Sequence, residues 1–152
     1  MSTFPSEVTL IVRRRISAPV ERLFAYWTEP AHLMRWWGPT GVTCDSATLE
    51  LRVGGRYRIA NRFADGRVVW ISGVFEVVAP PHQLVYTWQL SSGDAPADDR
   101  AVERVSVSFT PAGDATDILI VHERIGDDDA RAGHEQGWNA CLDRLSAFAC
   151  PG

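Results

Sequence analysis

The chain has 152 residues, is 45% hydrophobic and 22% charged, and sets 15 basic against 19 acidic side chains for a formal net charge of −4. A chain of this size buries about 70% of the surface its unfolded form exposes, so one domain over residues 1–152 with a sizeable core is expected. The charge balance excludes the basic face of a nucleic-acid-binding protein, and no run approaches the roughly 18 apolar residues of a membrane-spanning helix.

Thr9 to Ile16 reads as a strand. Pro19 is suited to the first position of a helix, where its missing N–H costs nothing, and Val20, Leu23, Phe24 and Trp27 follow on one helical face. Thr28-Glu29-Pro30 ends that helix and opens a short second one, which stops at Gly38-Pro39 in the segment RWWGPTG. Two adjacent tryptophans at a helix stop raise the question of whether the core behind them is solid or hollow.

From Val42 the period changes to two. Leu49 and Leu51 alternate with charged residues, and Gly54-Gly55 turns the chain. Tyr57, Ile59 and Phe63 then alternate with Arg56, Arg58 and Arg62, and Asp65-Gly66 marks a hairpin. Val68 to Val78 is a long strand closed by Ala79-Pro80-Pro81, and Leu84, Tyr86, Trp88 and Leu90 share a face of the next. Ser91 to Asp99 is a polar loop, expected to be mobile because it has so little to bury. Val105, Val107 and Phe109 mark another strand, and Ile118, Ile120 and His122 share a face of the last. Asp127 to Asp129 suit the start of a helix, in which Trp138, Cys141, Leu142, Leu145, Phe148 and Ala149 recur at helical spacing.

The order is strand, two short helices, about six antiparallel strands and one long C-terminal helix. This is an α+β arrangement in which a single helix must cover a wide, curved sheet of about seven strands. One helix need not fill such a concavity, so a cavity between sheet and helix is expected.

All fifteen basic residues are arginine, which reads as the codon usage of a GC-rich bacterial genome. The three cysteines, Cys44, Cys141 and Cys150, form no CxxC pair, and the N-terminal segment lacks the pattern of a signal peptide. A reduced, cytoplasmic protein is expected.

The segments APVERLFAYWTEPAHLMRWWGP, LRVGGRYRI, GVFEVVAPPHQLVYTW and GHEQGWNACLDRLSAF run in order from about Ile16 to Phe148. Together they resemble the AHSA-type family, the homologues of activators of a heat-shock-protein ATPase, in the START-like (SRPBCC) superfamily. The resemblance implies the helix-grip (Bet v-like) fold. It also implies a cavity between sheet and last helix, with Trp36 and Trp37 partly buried at its mouth. Superfamily members range over lipid carriers, cyclases, hydrolases and co-chaperones, so fold alone does not name the activity.

Candidate ligand-binding residues on the inner faces are Trp37, Tyr57, Asn61, Trp70, Tyr86, Trp88, His122, His134 and Trp138. Each aromatic also has a purely structural reading as core. His122 reads either as a core histidine bonded to a backbone carbonyl or tyrosine, or as a ligand-contacting or acid–base group. No cofactor is expected. No metal site is expected either, because the four histidines and three cysteines show no short ligand spacing. Cys141 lacks a visible base partner and reads as inert.

The leading function is binding of a small hydrophobic or aromatic molecule, with a homodimer left open. The alternatives are a cyclase- or hydrolase-like enzyme using His122 for proton transfer, and a co-chaperone-like module that binds a protein partner.

Overall fold

The structure, a computed structural model, describes residues 8–92 and 102–150. The loop expected over Ser91–Asp99 lies outside them beyond residue 92. Strand β1 (Val8–Ile16) is followed by helices α1 (Val20–Thr28) and α2 (Pro30–Trp36). Strands β2 (Val42–Leu49), β3 (Arg56–Phe63), β4 (Val68–Ala79), β5 (Gln83–Ser92), β6 (Glu103–Ala112) and β7 (Ala115–Ile125) come next, and helix α3 (Asp128–Ala149) ends the fold. The strands form one antiparallel sheet in the order β1-β7-β6-β5-β4-β3-β2. Successive strands from β2 to β7 are neighbours in the sheet, whereas α1 and α2 carry the chain from one edge of it to the other. This is the curved sheet, long C-terminal helix and pair of short helices of the helix-grip fold.

The period-two pattern decides which face is covered. Val105, Val107 and Phe109 of β6 and Ile118 and Ile120 of β7 are all buried, in one cluster with Leu142 and Leu145 of α3. Helix α3 is tied to the β1 edge by side-chain bonds. Arg14 Nη1 meets Asp143 Oδ1 at 2.7 Å, its Nη2 meets Asn139 Oδ1 at 3.2 Å, and Arg131 Nε donates to the Thr9 carbonyl at 3.2 Å. Asp127 caps the helix by accepting from the Ala130 N–H at 2.8 Å, as its position before the periodic run predicts.

Pro19 proves to be the N-cap of α1, one position earlier than expected, and the apolar stripe Val20, Leu23, Phe24 and Trp27 is buried. Neither tryptophan of the RWWGPTG segment is partly exposed, which corrects the expectation of a mouth residue at Trp36. That side chain is fully buried, and its Nε1 donates to the Tyr26 carbonyl at 2.9 Å. Gly38 adopts a φ of +118°, a conformation that side-chain-bearing residues rarely take, and so turns the chain out of the helix. Arg144 of α3 holds the turn, with Nη1 donating to the Gly38 carbonyl at 2.8 Å and the Val42 carbonyl at 3.1 Å. Helix α3 thereby fixes the backbone that carries Trp37.

Tyr57 of β3 stands opposite Gly73 of β4, and its hydroxyl reaches past that residue to donate to the Thr87 carbonyl of β5 at 2.6 Å. A Cβ on Gly73 would fall 2.0 Å from the same carbonyl oxygen. A side chain at 73 therefore cannot coexist with this arrangement.

Candidate functional site

Bound toward β1, α3 leaves the other half of the sheet, and a cleft of about 240 Å³ opens there. Asn61 and Phe63 of β3, Val69 and Ile71 of β4 and Trp88 and Leu90 of β5 form one wall. Trp37 and Pro39 close the end, and Gly133, His134, Gly137, Trp138 and Cys141 form the helical wall. Gly133 and Gly137 are four apart, hence on one helical face. A Cβ at either would meet no heavy atom within 4 Å, so close packing does not require glycine at these positions. In a helix interior each glycine costs roughly 1 kcal/mol relative to alanine. What the pair provides is width.

A cavity of roughly 150 Å³ accepts benzene, so this cleft has room for a somewhat larger aromatic molecule. A second, inner void of about 20 Å³ is lined by Tyr57, Phe75 and Tyr86 and shares Trp37 and Trp88 with the cleft. It holds about one water.

The walls are apolar, with a few polar atoms that lack partners. Among the described residues, Trp37 Nε1, Trp88 Nε1 and Asn61 Oδ1 are buried without a hydrogen-bond partner. All three belong to residues lining the cleft. Leaving such a group unpaired costs about 1–3 kcal/mol, so three at one site call for an explanation.

Behind the helical wall stands a hydrogen-bonded chain. Trp138 Nε1 donates to His122 Nδ1 at 3.1 Å, and His122 Nε2 lies 2.6 Å from Glu103 Oε1. An indole nitrogen can only donate, so His122 Nδ1 is the acceptor and Nε2 carries the proton given to Glu103. His134 Nε2 approaches the same carboxylate oxygen at 3.1 Å, and the two imidazoles stack with centroids 4.4 Å apart. Burial alone would raise the Glu103 carboxyl, but the hydrogen bonds from His122 and His134 outweigh it and hold the group at about 2. Burial also keeps the His122 imidazole below its ordinary range, against the opposing pull of Glu103.

The ligating atoms of Glu103, His122 and His134 all lie within 4.8 Å of one another, close enough to consider a cation. A metal on His122 Nε2 would require the proton on Nδ1, facing the Trp138 N–H donor. Metal-bound histidines ordinarily direct their second nitrogen at an acceptor. This donor set suits a hydrogen-bonded network better than a metal.

Of the residues singled out in the sequence, Trp37, Asn61, Trp88, His134 and Trp138 line the cleft, and Tyr57 and Tyr86 line the inner void. Two placements differ. Trp70 lies on the opposite face, because its neighbours Val69 and Ile71 point into the cleft; its ring is half-buried, with the Arg58 guanidinium 3.9 Å from its centroid. His122 is fully buried behind His134 with both ring nitrogens engaged, so it has no group left to offer a ligand. Glu103 was missed, although a signal for it existed: it precedes Val105, Val107 and Phe109 at period two and must share their inward face. Cys141 is buried in the helical wall with its thiol pushed up to about 11, chiefly by burial, as an inert thiol should be.

The profile of the family described as Activator of Hsp90 ATPase homolog 1-like proteins matches residues 17–149. The crystal structure of the AHSA1 protein from Silicibacter pomeroyi is 29% identical, with a TM-score of 0.82 over 92% of this chain and 96% of that one. A protein from Chromobacterium violaceum is 25% identical, with a TM-score of 0.78 over 95% of this chain and 99% of that one. CalU16 from Micromonospora echinospora, 24% identical with a TM-score of 0.67 over 94% of this chain and 76% of that one, shares the fold. The curated proteins contain no match. The profile match and the helix-grip architecture together establish that this chain belongs to the Activator of Hsp90 ATPase homolog 1-like family, in the START-like SRPBCC superfamily.

Proposed function

We propose that this domain is a receptor for one small apolar or aromatic molecule, held between α3 and strands β3–β5. The observation that carries the reading is that three residues lining one apolar cleft, Trp37, Trp88 and Asn61, each hold a buried polar atom without a partner among the described residues. Sites for small molecules are built this way, largely apolar with a few polar groups that fix orientation. The mid-helix glycines agree with it, since they keep open a space that alanine would narrow at a gain in helix stability. Calorimetric titration with naphthalene tests the reading. One molecule should bind per chain, and Gly137→Leu, which fills the cleft from the helical wall, should abolish binding while the fold is retained. Absence of binding by naphthalene or any other small aromatic probe would overturn it.

A second reading, proton transfer in the cleft, rests on His134. Its Nε2 is engaged by Glu103 and its ring lies on a wall of the cleft, which leaves Nδ1 for proton exchange with a bound compound. Chemical conversion of a bound compound, followed by mass spectrometry and lost in His134→Gln, would favour it over simple binding.

A further inference from the structure

We infer that the occupant of the cleft is a neutral aromatic alcohol of the phenol type, its hydroxyl seated among Trp37, Trp88, Asn61 and His134. The inference rests on the binding role proposed above and names the chemical class that role serves.

What the unpartnered atoms can exchange sets the chemistry of the ligand. The indole N–H groups of Trp37 and Trp88 are donors only, so the ligand must supply acceptor lone pairs. Asn61 Oδ1 is an orphan acceptor, so the ligand must also supply a donor, and the His134 ring lining the same cleft offers a further nitrogen. A hydroxyl group carries both, two lone pairs and one hydrogen. The rings are close enough to serve one polar end of a ligand: Trp88 has its centroid 6.1 Å from that of Trp37 and 6.1 Å from that of His134.

Two other classes fit less well. A carboxylate brings acceptors alone, which leaves Asn61 Oδ1 unmatched. It also sets a negative charge near Glu103, whose side chain is ionised and mostly buried. A pure hydrocarbon leaves every orphan group unpaired. The rest of the molecule must be flat and apolar, because Trp37, Trp88 and Trp138 present ring faces and edges within 5.4 to 6.1 Å of one another.

Calorimetric titration of the intact protein with 1-naphthol, naphthalene and 1-naphthoate separates the possibilities. The expected order is 1-naphthol tightest, about tenfold or more over naphthalene, as one or two hydrogen bonds made in an apolar wall would give, and 1-naphthoate weaker than 1-naphthol. His134→Phe and Asn61→Leu should each shrink the preference for 1-naphthol over naphthalene. Equal affinities for 1-naphthol and naphthalene, or tightest binding of 1-naphthoate, would overturn the inference and leave the receptor role standing. Failure of all three probes to bind would instead overturn the receptor role itself. The comparison of probes on the unaltered protein does not depend on any variant folding.

Discussion

Both ring nitrogens of His122 are taken by protein partners, so its contribution is to hold its neighbours in place. His122→Phe keeps the bulk of the ring but strands the Trp138 N–H and removes one of the two donors to Glu103. Each stranded group costs roughly 1–3 kcal/mol, so the midpoint of urea unfolding should fall clearly. An unchanged midpoint would show that the chain of bonds contributes nothing to stability. Glu103 adds a pH dependence. Its folded-state value of about 2 lies below the ordinary 4.5, so its stabilisation is complete above about 4.5 and is lost as pH falls toward 2. His122 is held below 6.5, so the unfolded chain takes up a proton first, and stability also declines as pH drops below that value. The stability difference between the native protein and Glu103→Gln, measured by urea unfolding from pH 7 to pH 3, should narrow below about 4.5. At this scale the sequence was only half legible. Alternation turned His122 inward correctly, but it says nothing of the Trp138 donor or of His134 stacked in front, since both come from the helix that follows and folds back over the sheet.

Helix α3 shows what a weak local pattern can hide. Its apolar spacing from Trp138 to Ala149 was plain in the sequence, but Gly133 and Gly137 look there like ordinary imperfections of a helix. Only the space facing them shows that they widen a cleft. Gly133→Ala and Gly137→Ala should each stabilise the fold by up to about 1 kcal/mol, read from urea unfolding, and the double variant should bind naphthalene more weakly. A loss of stability would mean that the helix needs glycine there for another reason. At its other end, α3 fixes the RWWGPTG turn through Arg144. That answers why two tryptophans stand where a helix stops: one closes the core and the other walls the hollow, on a turn that α3 holds in place. In β4 the sequence ISGVF gave no warning that Gly73 makes way for the Tyr57 hydroxyl, because the contact belongs to three strands at once. Gly73→Ala should be strongly destabilising, and a variant as stable as the native protein in thermal unfolding would refute the close approach.

Across the whole molecule, the sheet is a period-two pattern closed by one helix, and that much was readable from the order of apolar residues. Trp70 marks where the reading failed. Its strand is apolar on both faces, Val69 and Ile71 inward and Val68 and Trp70 outward, so alternation of hydrophobicity carried no phase. The stacking of the Arg58 guanidinium on its ring, which shields it on the outer face, is a cross-strand contact invisible in a linear string. The covered half of the sheet is packed tightly. Leu145 of α3 is fully buried, and Leu145→Ala should cost roughly 2–5 kcal/mol of unfolding free energy.

The rim of the cleft has kinetic consequences. Among the described residues, Gly133 is exposed and Leu90 is 50% exposed, so the cleft meets solvent along its side. A guest can therefore enter and leave without any strand or helix detaching. Its residence time should be set by its own contacts and be indifferent to concentrations of urea too low to unfold the domain. A buried compartment would behave otherwise, because exchange there waits on transient opening of the protein, which urea accelerates. Stopped-flow displacement of bound 1-naphthol at several sub-denaturing urea concentrations should give dissociation rates that stay nearly flat, and a steep rise would reveal that this side door is shut in solution.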